Sequence, residues 1–170
     1  MKAVKITLGI VTVFVLIFLL TGIIVTEVKY STEITINKPV NKVFENFTNP
    51  ELIKQWLPNI KSIEVIEQKP AVVGSSYRMT VISNGQEVKM IQKITDFVLN
   101  QKITFQFTSS EMIKTDAYNF TTNNTKTTVT QNSSVNSKSY ITACLYPYFK
   151  GTFKAVNMHC LTQLKELSEK

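Results

Sequence analysis

The segment from Asn37 to Gln68 constrains the fold of this chain more than any other. Four apolar residues recur at i, i+3, i+4 and i+7 and predict a short amphipathic helix: Val40, Val43, Phe44 and Phe47. Pro39 suits the first turn of that helix, and Asn37 is predicted to cap it. After Asn49-Pro50 a second short helix is predicted, with one apolar face made by Leu52, Ile53, Trp56 and Leu57. Pro58 and Asn59 are predicted to end it, before a half-buried strand.

A series of strands and then a long helix are predicted around this segment. Alternating apolar and polar residues indicate seven strands, within residues 31–37, 60–68, 75–82, 86–97, 103–107, 112–121 and 126–135. Ser83-Asn84-Gly85 predicts a tight turn between the third and fourth strands. The long helix is predicted from about Pro147 to Leu167, with an apolar face made by Phe149, Phe153, Val156, Cys160, Leu164 and Leu167. The pattern predicts an α+β protein whose curved antiparallel sheet wraps a long C-terminal helix.

This order of elements resembles the START-like helix-grip superfamily, also called SRPBCC, and in particular its polyketide cyclase/dehydrase-type branch. The resemblance covers about residues 31–167 and rests on Ile34-Thr35-Ile36-Asn37-Lys38-Pro39-Val40, Lys42-Val43-Phe44, Asn49-Pro50-Glu51, Gln55-Trp56-Leu57-Pro58 and Gly74-Ser75-Ser76-Tyr77. It implies a pocket between the curved sheet and the long helix. It implies no particular activity, because one fold hosts unrelated functions.

An uncharged stretch from Ile6 to Thr26 precedes this domain. As a helix it is long enough to cross the ~30 Å hydrocarbon core of a bilayer. Lys2 and Lys5 also fit a signal peptide, but the stretch is longer than a usual signal segment and lacks a small-residue cleavage site. We therefore expect a basic flank (1–5), an uncleaved single-pass anchor (6–26), a juxtamembrane link (27–30) and a helix-grip domain (31–170). The first charge after the stretch is acidic, which favours an N-terminus inside and a domain outside the cytoplasm.

Charge and residue composition argue against several classes of site. The net charge is +7, but the lysines are scattered singly, which is typical of a solvated surface and not of a nucleic-acid interface. With an anchor, the mild positive field would favour anionic lipid headgroups. His159 is the only histidine, and Cys144 and Cys160 are predicted to lie too far apart for a disulfide. We therefore predict no metal site, no cofactor and no covalent catalysis.

Aromatic residues in the second half of the chain are the best indication of a site. The predicted pocket-lining residues are Phe105, Phe107, Tyr118, Phe149, Phe153, Val156, Asn157 and Cys160. The last strand is polar on both faces, Thr127, Gln131 and Ser133 against Thr128, Thr130 and Asn132, so an inward polar face would make the interior amphipathic. The first hypothesis is a membrane-anchored, non-catalytic module that binds a lipid-like or other apolar small molecule.

Two other functions remain open at the level of sequence. An enzyme of the cyclase/dehydrase or hydrolase type would need an inward acid or base, and the residues to watch are Tyr77, Arg78, Asp116, Tyr118 and His159. The simpler, non-catalytic interpretation places Arg78 and Asp116 on the solvated surface and His159 on the flank of the long helix. The third hypothesis is an envelope interaction protein with a vestigial pocket, which would need a large exposed apolar patch.

Overall fold

The protein folds into a helix-grip domain preceded by one long apolar helix. The computed structural model describes residues 2–57, 59–83 and 85–170, so Pro58 and Asn84, with the helix end and the tight turn predicted there, lie outside the described residues. The elements are α1 (Lys2–Ile24), β1 (Val28–Ile36), α2 (Val40–Thr48), α3 (Ile53–Trp56), β2 (Ile60–Glu67), β3 (Ser76–Ser83), β4 (Gln86–Val98), β5 (Lys102–Thr108), β6 (Met112–Asn123), β7 (Lys126–Ser137), α4 (Tyr140–Leu145), a 3₁₀ turn (Tyr146–Phe149) and α5 (Lys150–Glu169). The predicted fold class is confirmed.

One antiparallel sheet of seven strands forms the body of the domain, in the order β1-β7-β6-β5-β4-β3-β2. Register shifts interrupt β4 between Ile94 and Asp96, and β2 at two places. Such bulges bend a strand and increase its twist, which curves the sheet. Asn100 and Asn124 adopt left-handed backbone conformations (φ 59° and 57°) at two of the hairpin turns, as asparagine readily does.

Two apolar clusters hold the helices on the inner face of the sheet. The larger is made by Ile36, Val43, Phe44, Phe47, Trp56, Ile94, Ile103, Tyr118, Phe120, Val129, Leu161 and Leu164. Phe47 lies at its centre, because its ring centroid is 4.7 Å from those of both Trp56 and Tyr118. The smaller cluster, Val28, Tyr30 and Val135, is covered by Val25, Met112, Tyr146 and Phe153. The two clusters lie toward opposite ends of α5.

The start of α2 differs from the sequence prediction. Pro39 takes the capping position in an extended conformation (φ −66°, ψ 153°), and Asn37 caps nothing. The backbone N–H and the side-chain Nδ2 of Asn37 instead donate to Glu169 Oε1, at 2.7 and 3.0 Å. Asn37 therefore ties the entry of α2 to the last turn of α5, a long-range contact that local sequence does not reveal.

The buried face of α5 is rotated relative to the predicted one. Its buried residues are Asn157, Leu161, Leu164 and Ser168, whereas Val156 is 51% exposed. The predicted face counted only apolar residues, but Asn157 is buried because its amide has polar partners inside the domain. Pro147 begins no long helix either, since it lies in the 3₁₀ turn between α4 and α5.

The N-terminal helix α1 has side chains exposed on nearly all sides. It is the one helix among the described residues that is long and apolar enough to cross a membrane, with a mean hydropathy of 2.7. By length and composition alone, a signal sequence passes the same test. Only Val25, Thr26 and Glu27 separate α1 from β1, because β1 starts at Val28, inside the segment predicted to be a link.

The rotation of α5 predicts unequal effects of two truncations on the free energy of unfolding. Leu161→Ala should lower it by about 2–5 kcal/mol, because a fully buried leucine leaves a cavity. Val156→Ala should change it by no more than about 0.5 kcal/mol, because Val156 is half exposed. Urea unfolding of the full chain in detergent, followed by the fluorescence of the single tryptophan, measures both. Equal losses would contradict the observed face.

Candidate ligand cavity and buried polar cluster

A cavity of about 640 Å³ lies between the inner face of the sheet and the α2–α3 segment. Its lining is mostly apolar and consists of Phe47, Thr48, Pro50, Ile53, Lys54, Trp56, Leu57, Ser62, Ile63, Val65, Gln68, Val72, Tyr77, Met79, Gln92, Ile94, Phe97, Ile103, Phe105, Phe107 and Tyr118. Four of these lining residues are exposed to solvent: Pro50 before α3, Lys54 in α3, Val65 in β2 and Gln68 directly after β2. The mouth of the cavity therefore lies between α3 and the edge strand β2.

Trp56 forms part of the cavity wall and carries a buried hydrogen-bond donor. Its side chain is only 3% exposed and stacks on Phe47. Its indole Nε1 finds no hydrogen-bond acceptor among the described residues. A buried donor left without an acceptor costs about 1–3 kcal/mol. The Nε1 atom is itself buried, so Trp56 contributes the apolar surface of its ring to the cavity wall.

Val72, which also lines the cavity, has a strained backbone. Its φ is +65°, a conformation that β-branched residues rarely adopt. The turn from β2 to β3 holds it there, since the Val72 N–H donates to the Lys69 carbonyl and the Val72 carbonyl accepts from the Ser75 N–H, both at 3.0 Å. Strain of this kind costs about 1–3 kcal/mol and is common where side chains line functional sites.

The structure separates the eight residues that were predicted to line one pocket. Phe105, Phe107 and Tyr118 line the cavity. Phe149 and Val156 are about half exposed, and Phe153 stacks on Tyr30 in the smaller apolar cluster. Asn157 is buried among polar groups, and Cys160 is partly buried against the larger cluster. The reason is that the first half of α5 covers β1 and β7, whereas α3 and its single tryptophan close the cavity.

A ring of four hydrogen-bonded side chains lies beside the cavity, between the sheet and α5. Lys114 Nζ donates to Asp116 Oδ2 at 2.9 Å and to Asn157 Oδ1 at 3.2 Å. Asn157 Nδ2 donates to Ser133 Oγ at 2.8 Å, and Ser133 Oγ donates to Asp116 Oδ1 at 2.6 Å. Three of the four residues are almost fully buried, and the Lys114 side chain is 20% exposed. We call this set the polar ring.

The prediction that Asp116 is solvated is wrong, because its side chain is 3% exposed inside the polar ring. A signal was present in the sequence, since Lys114, Asp116 and Tyr118 share one face of β6 by their spacing. Of the predicted faces of β7, the one with Thr127, Gln131 and Ser133 points inward. These residues do not line the cavity. Ser133 Oγ accepts from Asn157 of α5, and Thr127 Oγ1 donates to the Lys38 carbonyl at 2.8 Å.

The other candidate catalytic residues do not come together in one site. Tyr77 and Tyr118 line the cavity, whereas His159 is exposed. Arg78 is exposed and donates to Glu64 Oε2 at 3.2 Å. Within the described residues, no three His, Cys, Asp or Glu side chains cluster closely enough to bind a metal ion.

Burial and the polar ring set the protonation of the groups around them. Burial, reinforced by Asp116, raises the pKa of Tyr118 well above its ordinary value. Burial also raises the pKa of Tyr30 and of the Cys160 thiol. Burial alone would lower the pKa of Lys114, but the charge of the Asp116 carboxylate and its hydrogen bond with Lys114 help to outweigh it, and the pKa is raised. At neutral pH, Lys114 is therefore charged, and the two tyrosines and the thiol are neutral.

Breaking the polar ring should destabilise the domain strongly. Lys114→Met leaves the Asp116 carboxylate buried without its counter-charge, which should lower the free energy of unfolding by about 3 kcal/mol. Lys61→Met is the matched control, because Lys61 pairs with Glu87 on the surface and exposed pairs contribute little. Urea unfolding of both variants in detergent measures the difference. Similar small losses in both would show that the ring does not hold α5.

The sequence model of one family, described as Activator of Hsp90 ATPase homolog 1-like protein, matches residues 37–169. No curated protein matches the chain.

Several solved structures share the fold at low sequence identity. The protein TTHA0849 from Thermus thermophilus is 16% identical with a TM-score of 0.70, and the alignment covers 83% of this chain and 97% of that one. A START superfamily protein from Mycobacterium smegmatis is 16% identical with a TM-score of 0.69, over 83% and 97% of the two chains. The Zhui aromatase/cyclase from Streptomyces sp. R1128 is 12% identical with a TM-score of 0.64, over 83% and 96%. At these identities the likeness shows the fold alone.

The family match spans most of the chain, and its limits fall on the elements that build the cavity and the polar ring. It begins at the residue tied to the end of α5 and ends with α5 itself. The match shows that the chain belongs to the Activator of Hsp90 ATPase homolog 1-like family, and its topology is the START-like helix-grip fold.

Proposed function

We propose that this protein is a membrane-anchored, non-catalytic module that binds a lipid-like or other apolar small molecule in the cavity beneath α3. The observation that carries the proposal is the cavity itself, whose lining is mostly apolar and includes several aromatic side chains. Its volume of about 640 Å³ lies within the range of small-molecule sites. The family and the fold are those of hydrophobic ligand-binding domains of the START and polyketide cyclase-like kind.

The lining sets the chemistry that we expect of the ligand. Aromatic side chains from β5 and β6, chiefly Phe105, Phe107 and Tyr118, favour an extended apolar body. The ring of Trp56, stacked on Phe47, adds to this aromatic surface. A ligand with several buried charges is disfavoured, because the cavity lining offers few polar partners.

The anchor in this proposal is α1. Its 23 residues span about 34 Å as a helix, enough to cross a bilayer core. Its large apolar side chains are mostly more than half exposed, an arrangement that lipid would satisfy and water would not. Lys2 and Lys5 in the first turns of α1 and Glu27 after its end support an orientation with the domain outside the cytoplasm.

An enzymatic role is the alternative that the cavity also raises, because Tyr77 and Tyr118 both line it. Burial raises the pKa of Tyr118, so it is a neutral phenol and a poor general base at neutral pH. Asp116 is committed to Lys114 and Ser133. His159 is exposed on α5. These placements support binding over acid–base catalysis.

Filling the cavity should abolish binding of an apolar probe. Ile63→Trp adds bulk to a lining residue of β2, and the full chain in nanodiscs should then retain little radiolabelled palmitic acid above empty nanodiscs. Ile66→Trp is the matched control, because Ile66 lies on the same strand, is 47% exposed and is not part of the cavity lining. Equal retention by both variants and the unchanged chain would reject this cavity as the site.

A further inference from the structure

After β7 the chain carries an uncharged segment that exposes apolar side chains. Residues 139–149 contain no charge and lie between Lys138 and Lys150, both exposed. They form α4 and the 3₁₀ turn. Five large side chains of this segment are exposed: Tyr140 (46%), Ile141 (55%), Leu145 (39%), Tyr148 (61%) and Phe149 (48%). Neither the cavity nor the polar ring uses these residues.

This segment packs directly against the last turns of α1. The Tyr140 hydroxyl donates to the Leu19 carbonyl at 2.5 Å, and the hydroxyls of Thr21 and Tyr148 lie 3.2 Å apart. Gly22 is buried against α4, where a Cβ atom would come within 2.5 Å of Cys144 Sγ. The close approach of α1 and α4 therefore depends on glycine at this position.

The contacts fix the depth of α4 relative to α1. Leu19 lies five residues before Ile24, the last residue of α1, which is about 7.5 Å along the helix axis. If α1 spans a bilayer, α4 lies beside its final turns, and no charged residue of α1 occurs there. Interfacial helices are buried about 5–10 Å into the boundary between headgroups and acyl chains, which is the same depth.

The exposed side chains have the composition of a membrane interface. Tyrosine concentrates at the headgroup level because its ring is apolar and its hydroxyl is polar, and Tyr140 and Tyr148 provide two such side chains. Ile141, Leu145 and Phe149 supply aliphatic and aromatic bulk for the acyl boundary. At the two ends of the segment, Lys138 Nζ donates to the Ser109 carbonyl at 2.6 Å, and the exposed Lys150 is placed for an anionic headgroup.

We propose that α4 and the 3₁₀ turn form a second membrane contact, which lies in the headgroup and acyl-chain boundary of the bilayer beside α1. The occupant of this surface is phospholipid. A second copy of the chain or a protein partner is the competing occupant, and the continuity of the patch with the lipid-facing surface of α1 favours the bilayer. This inference rests on the anchor in the proposed function, and it adds that the domain lies against the membrane.

Photo-crosslinking of the full chain in phospholipid nanodiscs tests the contact. Tyr148→p-benzoylphenylalanine places a photoreactive group of similar shape in the patch. Leu99→p-benzoylphenylalanine is the control, because Leu99 is 64% exposed at the β4–β5 turn, whereas α4 follows the opposite end of the strands, where β5 ends and β6 begins. We expect several-fold more covalent lipid adduct, read by mass spectrometry, from position 148 than from position 99.

Three outcomes separate this inference from the proposal on which it rests. Release of the chain from membranes by alkaline carbonate would remove the anchor, and with it this inference. A chain that stays in the membrane but gives equal lipid adducts at positions 148 and 99 would overturn the docking of α4 while leaving the anchor in place. A protein–protein adduct at position 148 would also overturn it, in favour of a second copy. Palmitic acid retention is unaffected in the last two cases, since the cavity uses none of these residues.

Discussion

The polar ring is the constraint on which the interior of this domain depends. A buried carboxylate and a buried ammonium are tolerated because each is paired and hydrogen-bonded, and the pairing spans β6, β7 and α5. Asn157 must reach both Lys114 and Ser133, so it fixes how α5 rotates about its own axis. That rotation turns Leu161 and Leu164 toward the sheet and Val156 toward solvent. The ring also separates the larger apolar cluster and its cavity from the smaller cluster near α1.

Most of the fold was predictable because strand alternation is a local signal. The seven predicted strands all occur, with ends that differ from the predictions by at most about three residues. The α5 face was not predictable in the same way, because a helical wheel ranks Val156 above Asn157, and only tertiary partners reverse that order. Likewise, Asp116 looks like a surface acid until it is paired with Lys114, its neighbour on the same face of β6.

The candidate site was predicted only where it follows from the strands. Phe105, Phe107 and Tyr118 point into the cavity because β5 and β6 alternate, whereas the wall opposite comes from α3, a single helical turn. The N–H of Trp56 is left unpaired by the way the surrounding side chains pack, and no pattern in the sequence predicts this. The sequence predicts no helix or strand between the last strand and Pro147, so α4 is also a feature that only the structure shows.

The three-residue connection between α1 and β1 limits how the domain can move. Val25 still donates to the Thr21 carbonyl at 2.8 Å, so the helical hydrogen bonding continues into that connection. A flexible tether would let a domain rotate freely about its anchor. Here the Tyr140–Leu19 hydrogen bond and the Gly22–Cys144 contact hold α1 against α4 of the domain. With α1 in a bilayer, the anchor and the domain would turn as one body. The mouth of the cavity would then keep a fixed orientation relative to the lipid-facing side of α1.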